Sequence, residues 1–223
     1  MQTAKFHRLF DAMPLIAILR GITPRTAHMI DIELELAGIT LMEVPLNSPD
    51  ALLTIAGFGA GIGAAGSATE KACMVGAGTV LGADMVDEIE FCNGTLIVSP
   101  NFNEAVVRRT RAKGLVSIPG VATPSEAFAA LAAGADALKL FPAEMIPPSA
   151  VKAMRAVLPR ETRLIIVGGV TPQSMRDYLA AGANGFGIGS SLYKPGDSPA
   201  SVERKAADFV AALRAARDAV ART

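Results

Sequence analysis

The sequence predicts an α/β protein of the (β/α)8 TIM barrel class, with residues 1–223 forming a single domain. Three observations favour this fold. Eight short apolar segments rich in β-branched residues recur along the chain, helical patterns separate them, and a length of 223 residues with 51% hydrophobic content suits one barrel-sized core. Strands that alternate with helices pair in parallel, and near-continuous apolar strands indicate a sheet covered by helices. An open doubly wound sheet is the alternative, and the count of eight favours a closed barrel.

The strands follow one another at fairly regular spacing, and several of the intervening helical segments begin after Thr-Pro or Ser-Pro and end before a glycine, as helices commonly do. The predicted strands are Leu15–Leu19, Thr40–Val44, Cys73–Ala77, Thr95–Val98, Leu115–Ile118, Asp136–Leu140, Arg163–Val167 and Gly185–Ile188. The predicted helices between them include Thr26–Ala37, Asn103–Lys113, Pro124–Ala133, Pro148–Leu158 and Gln173–Ala181.

The two ends and one internal stretch depart from this repeat. A short lead-in precedes the first strand, and Ser201–Arg222 has the pattern of an amphipathic helix. The stretch Phe58–Ala72 is rich in Gly and Ala. It contains the spacing GxGxxG at Gly61–Gly66, but a dinucleotide-binding turn should follow a strand and open a helix, and here a strand follows almost at once. We therefore give this motif little weight.

Composition narrows the function classes. Lys and Arg (21) balance Asp and Glu (21), so no basic surface for nucleic acid is indicated, and no run approaches the roughly 20 apolar residues that span a membrane. Cys73 and Cys92 are far apart in the chain, and His7 and His28 have no metal-ligand spacing. We expect a cytoplasmic protein that needs no metal or other cofactor and binds a small molecule.

Lys139 is the first candidate for chemistry. It lies in the apolar run Ala137–Pro142, where burial would disfavour the charged amine. A neutral lysine is a nucleophile that can form a Schiff base with a carbonyl compound. The alternative is a strand-end lysine whose ammonium reaches solvent.

Catalytic groups of a barrel lie at the carboxyl ends of its strands, and polar or glycine residues occur at most of these ends. These positions are Arg20, Glu43, Thr79, Pro100-Asn101, Lys139, Gly168-Gly169 and Gly189-Ser190. Glu43, within an apolar run, would have a raised pKa suited to proton transfer, although a structural ion pair with Lys139 is equally consistent. Arg20 can bind a carboxylate or phosphate, or lie at the surface. The glycine turns after strands seven and eight favour phosphate binding over tight turns alone.

Seven segments, in order, carry a resemblance to the KDPG/KDPGal aldolases, a class I family that acts on 2-keto-3-deoxy-6-phosphosugar acids. The segments are Leu15–Pro24, Leu41–Pro49, Val75–Leu81, Leu96–Asn101, Ala137–Pro142, Val167–Pro172 and Gly187–Tyr193. The resemblance implies that Lys139 is the Schiff-base lysine and Glu43 the general acid/base. It also implies that Arg20 and Thr79 contact the substrate, that Gly169, Gly189 and Ser190 contact its phosphate, and that the protein is a metal-independent homotrimer.

Val167 bears on the substrate. In the family, the branch acting on the gluconate-derived substrate often has Thr immediately before the Gly-Gly pair, and the galactonate-derived branch has Val. The resemblance therefore implies the galactonate-derived substrate. Three other hypotheses remain open. They are the same reaction on the gluconate epimer, a phosphosugar isomerase or epimerase that uses Glu43 as base without a covalent adduct, and a non-catalytic phosphosugar sensor.

Overall fold

The computed structural model describes residues 2–59 and 73–222, which form a barrel of parallel strands surrounded by helices. The strands are β1 Leu15–Ile18, β2 Leu41–Pro45, β3 Met74–Gly78, β4 Leu96–Val98, β5 Val116–Ile118, β6 Gly120–Val121, β7 Leu138–Leu140, β8 Leu164–Val167 and β9 Gly185–Ile188. The helices are α1 Gln2–Ala12, α2 Pro24–Leu36, α3 Ala51–Gly59, α4 Ala83–Phe91, α5 Glu104–Ala112, α6 Pro124–Ala133, α7 Pro148–Val157, α8 Met175–Ala180 and α9 Pro199–Ala221, with a 3-10 turn at Ala143–Met145.

The TIM barrel prediction is confirmed, with one difference in the fifth strand. That strand is two segments, β5 and β6, on either side of Pro119. Proline has no N–H group, so the strand is interrupted there. β5 pairs with β4 and β6 pairs with β7, so the two halves join the two ends of the sheet. The Lys139 N–H donates to the Pro119 carbonyl at 2.9 Å.

The interior of the barrel is filled by side chains that alternate along each strand with those facing the helices. On β1, Ile16 and Ile18 belong to an inner cluster, whereas Leu15 and Ala17 pack in the layer between strands and helices. Glu43 and Lys139 occupy the same alternating positions as the inner-cluster residues of their strands. Strand periodicity therefore directs both side chains into the barrel.

Helix α1 closes the amino-terminal end of the barrel. The buried side chains of Phe6 and Phe10 pack in the inner cluster, and a Cβ on Gly185 would lie 2.6 Å from the ring of Phe10. The short lead-in expected from the sequence is this helix, in which two phenylalanines four residues apart form an apolar face. One end of the barrel is thus filled, and the cavity lies at the other.

The outer helices begin and end close to the predicted bounds. Prolines occupy the first turn of α2, α6, α7 and α9, and α2 and α9 each begin two residues earlier than predicted. Gly134 ends α6 in the left-handed conformation, φ +102°. The predicted Phe58–Ala72 stretch begins with the last two residues of α3, and its remainder, including Gly61–Gly66, lies outside the described residues. No helix in the described ranges is both long and apolar enough to cross a membrane.

Candidate active site

A cavity of about 550 Å³ opens at the carboxyl end of the barrel, where the sequence predicts the site. All seven predicted site residues line it. They are Arg20, Glu43, Thr79, Lys139, Gly169, Gly189 and Ser190. Pro100 and Gly168, also predicted at strand ends, line it as well. Asn101, the remaining strand-end position, is exposed and does not line the cavity.

Glu43 lies on β2, paired with Ile18 of β1 and Gly76 of β3, and is 2% exposed. Its Oε2 atom has no hydrogen-bond partner among the described residues. Burial raises the pKa of this carboxyl from 4.5 to about 7, against the opposing charges of Lys139 and Arg20. Gly78 creates the space, because a Cβ at that position would overlap the Glu43 carboxylate. The geometry therefore places a carboxyl group that can exchange a proton near neutral pH.

Lys139 lies on β7 between Gly120 and Ile165, and is 7% exposed. Burial lowers the pKa of its amine, and the Arg20 charge lowers it further, while Glu43 acts in the opposite direction. The Nζ atom lies 4.7 Å from the centroid of the Phe141 ring. Lys139 does not reach bulk solvent as a strand-end lysine would, and the environment increases the fraction of neutral, nucleophilic amine.

The structure also bears on the interpretation of Glu43 and Lys139 as a purely structural ion pair. Burial and charge alone shift their two pKa values, with no hydrogen bond contributing to either. A buried ion pair stabilises a protein only when hydrogen bonds offset the cost of removing both charges from water. Among the described residues no hydrogen bond offsets that cost for Glu43 and Lys139, which argues against a purely structural ion pair.

The loops after β1, β2 and β3 form one wall of the cavity. Arg20 is exposed, and its Nη1 atom donates to Oδ1 of Asn47. The N–H of Gly21 donates to Oγ of Ser48 at 2.9 Å, so the first two loops are tied together. Thr79 has a φ of +58°, which β-branched residues rarely adopt. Such strained residues cluster at functional sites.

The opposite wall consists of the glycine turns after β8 and β9. Gly168 and Gly169 both have positive φ values, and a Cβ at either would lie within 3 Å of the Glu144 carboxylate. A Cβ on Gly189, in contrast, would meet no atom within 4 Å. Packing therefore requires glycine in the first turn but not at Gly189. Absence of a side chain at Gly189 instead leaves the backbone open to close approach by a ligand.

The sequence-based reasoning did not single out several residues that shape the cavity, among them Asn47, Gly78 and Phe141. Gly78 and Phe141 lie two residues beyond Gly76 and Lys139 along their strands, so the two-residue periodicity of a strand could have identified them. Asn47 lies in the turn after β2, where that periodicity does not apply.

Potential metal ligands also occur elsewhere. Within residues 2–59 and 73–222, one group has ligand atoms all within 4.8 Å of one another, formed by Asp31, Glu35 and Cys73. None of the three lines the cavity. Within the described residues, Cys73 and Cys92 do not form a disulfide.

Comparison with known proteins agrees with the sequence resemblance. The family model described as KDPG and KHG aldolase matches residues 8–204. A probable 2-dehydro-3-deoxy-6-phosphogalactonate aldolase of Rhizobium meliloti is 46% identical over 91% of this chain and 92% of its own length. The 2-dehydro-3-deoxy-6-phosphogalactonate aldolase of Escherichia coli is 43% identical over 92% of this chain and 96% of its own. A solved structure described as native KDPGal superposes with a TM-score of 0.87, at 42% identity, covering 92% of this chain and 97% of that one.

Proposed function

The chain belongs to the KDPG and KHG aldolase family, and we propose that it cleaves 2-dehydro-3-deoxy-6-phosphogalactonate to pyruvate and D-glyceraldehyde 3-phosphate. The observation that carries this proposal is the pairing of Lys139 and Glu43 at the base of one cavity. Burial favours the neutral form of both groups. A neutral amine and a carboxyl group with a pKa near 7 are the nucleophile and the proton carrier that a Schiff-base aldolase needs.

The reaction begins with Lys139. Its neutral Nζ attacks the C2 ketone of the substrate to give a carbinolamine, which loses water to form an iminium ion. The iminium then accepts the electron pair of the C3–C4 bond as that bond breaks. Glyceraldehyde 3-phosphate leaves, and the enamine of pyruvate remains attached to Lys139.

Glu43 transfers the protons in these steps. As the C3–C4 bond breaks, its carboxylate takes the proton of the C4 hydroxyl, directly or through a water molecule. The protonated carboxyl then donates to C3 of the enamine, which regenerates the iminium. Water adds to this iminium, and pyruvate and neutral Lys139 are released.

The two walls of the cavity hold the substrate's charged groups. The guanidinium of Arg20, with Thr79, contacts the anionic keto-acid part of the substrate from the first wall. Gly169, Gly189 and Ser190 offer backbone N–H groups and a hydroxyl to the phosphate from the second wall. This arrangement needs no metal ion or other cofactor.

Trapping with borohydride tests the proposal. The protein is incubated with pyruvate and sodium borohydride, and its intact mass and peptide map are measured. We expect a reduced pyruvyl adduct on Lys139, no adduct on Lys139→Met, and an adduct on Glu43→Gln, which still forms the imine. Failure of the native chain to form any adduct would favour the isomerase or sensor hypotheses, neither of which involves a covalent bond.

Val167 supports the galactonate-derived substrate over its gluconate epimer. It lines the cavity immediately before the Gly168–Gly169 turn and supplies no hydroxyl that could recognise the C4 configuration. We expect the native chain to have the higher kcat/KM for the galactonate-derived compound. The substitution Val167→Thr should shift the ratio of kcat/KM toward the gluconate epimer. A native preference for the gluconate epimer would reverse the substrate assignment.

We also propose that the protein is a single-domain, cytoplasmic homotrimer, as its family suggests, and that it binds neither nucleic acid nor membranes. Light scattering coupled to size-exclusion chromatography should give three times the mass of one chain, 23.0 kDa. A monomer at micromolar concentration would contradict the trimer. Fractionation of cells should recover the protein with the cytoplasm.

A further inference from the structure

Asn47 lies in the cavity wall, where its side-chain amide contacts Arg20. It lies two residues beyond the end of β2, lines the cavity and faces Arg20. The guanidinium group has only donors, so the atom of Asn47 that it contacts is the carbonyl Oδ1. The amide nitrogen of Asn47 therefore keeps its two hydrogens for other partners.

The loops on which the two residues lie are held from both sides. Ser48, which is buried, accepts a hydrogen bond from the Gly21 N–H. On the other side, a Cβ on Gly21, whose φ is +79°, would lie 2.6 Å from the ring of Pro195. The backbone at Arg20 is thus fixed, and Asn47 supplies the contact that selects the direction of the long, exposed arginine side chain.

The acceptor is also uncharged, so it does not reduce the positive charge that Arg20 brings to the site. An aspartate at position 47 would pair with Arg20 through two oxygens and offset its charge. The amide of asparagine offers a carbonyl oxygen at the same distance along the side chain, but it does not offset the charge of Arg20. The charged side chains that line the cavity are Arg20, Glu43, Lys139 and Lys194, and Glu144 lies against the Gly168–Gly169 turn.

We infer that Asn47 is a positioning residue, which directs the Arg20 guanidinium into the cavity while leaving its positive charge available to an anionic group of the substrate. This inference rests on the proposed aldolase function. The charge of Arg20 also affects the reacting groups, because it lowers the pKa of both Lys139 and Glu43. Offsetting that charge would allow both pKa values to rise.

Two substitutions separate orientation from charge. Asn47→Ala removes the acceptor, and we expect the KM for the phosphorylated keto acid to rise about tenfold with kcat within about threefold of the native value, since Arg20 binds substrate but does not react. Asn47→Asp keeps the acceptor and adds a negative charge. We expect KM to rise by more than in Asn47→Ala, and the pH of half-maximal pyruvate trapping by borohydride to move upward.

Gln2→Glu is the control for charge. It adds one negative charge on α1, at the opposite end of the barrel. It should not move the pH profile of trapping. The inference is overturned if Asn47→Asp retains the native KM and pH profile, or if Gln2→Glu moves that profile equally.

The native chain distinguishes this inference from the proposed function. If it forms no pyruvyl adduct, the aldolase proposal fails and the role of Asn47 fails with it. If it forms the adduct but the Asn47 variants match it in KM and pH dependence, the aldolase proposal stands and only the role of Asn47 is refuted. Asn47→Ala alone, through its KM, decides the matter if Asn47→Asp does not fold.

Discussion

Glu43 should make the protein less stable as the pH rises through neutrality, and Glu43→Gln should abolish that loss. The folded-state pKa of about 7 lies above the ordinary 4.5, so the folded protein holds a proton that the unfolded chain has released between these two values. Stability from this proton is fully present below about pH 4.5 and is lost as the pH rises through 7. At about 1.4 kcal/mol per pH unit, the difference amounts to about 3 kcal/mol.

Glutamine resembles the protonated carboxyl group in shape and charge, so the Glu43→Gln variant should not incur this cost. We expect its free energy of unfolding to exceed that of the native chain by less than about 1 kcal/mol at pH 5 and by about 3 kcal/mol at pH 8.5, although its turnover is strongly reduced. Urea denaturation at both pH values, at one fixed protein concentration, measures the difference.

Glu88→Gln is the matched control, because Glu88 is exposed on α4. It should change the free energy of unfolding by less than about 0.5 kcal/mol at either pH. A Glu43→Gln variant that gains nothing between pH 5 and pH 8.5 would show that Glu43 is charged at little cost. The argument from its burial would then be wrong.

Three further substitutions test other parts of the site and barrel. Lys139→Met should lower kcat/KM by about 10⁴-fold or more without weakening the fold, because a buried amine is exchanged for a side chain of similar length. Steady-state kinetics measures the first effect and a thermal melt the second. A lowered Tm would indicate a structural lysine. Gly78→Ala should lower kcat about a hundredfold by displacing the Glu43 carboxylate, whereas Gly57→Ala, where a Cβ meets no atom within 4 Å, should leave activity unchanged. Equal kinetics in these two alanine variants would refute the displacement. Phe10→Ala should cost about 3 to 5 kcal/mol in urea denaturation, and a cost below about 1 kcal/mol would show that α1 is not needed to fill the barrel.

The alternation of strands and helices predicted a parallel α/β fold, and the count of eight strands then favoured the closed barrel over an open sheet. The carboxyl-end rule then selected Lys139, Glu43 and Arg20, and all three line one cavity. The rule works because every strand of a parallel barrel points toward the same end. Once the fold class is known, sequence order alone assigns a residue to that end.

Other features depend on contacts between distant segments, and local pattern does not determine them. The two-residue strand β6 was not predicted, because after Pro119 it is recognised only by its pairing with β7. The role of α1 depends on Phe6 and Phe10 entering the barrel end, which composition near the amino terminus does not indicate. Asn47 was missed because its role depends on a hydrogen bond with Arg20, which lies on another loop.

Helix α1 makes the chemistry at one end of the barrel depend on residues at the other. The raised pKa of Glu43 and the lowered pKa of Lys139 both result chiefly from the exclusion of water. Water can enter a barrel from either end, and the rings of Phe6 and Phe10 obstruct the end opposite the cavity. The helix thus helps to maintain the low dielectric constant around two groups near the other end of the barrel, and we expect that loosening it would return both pKa values toward their ordinary values.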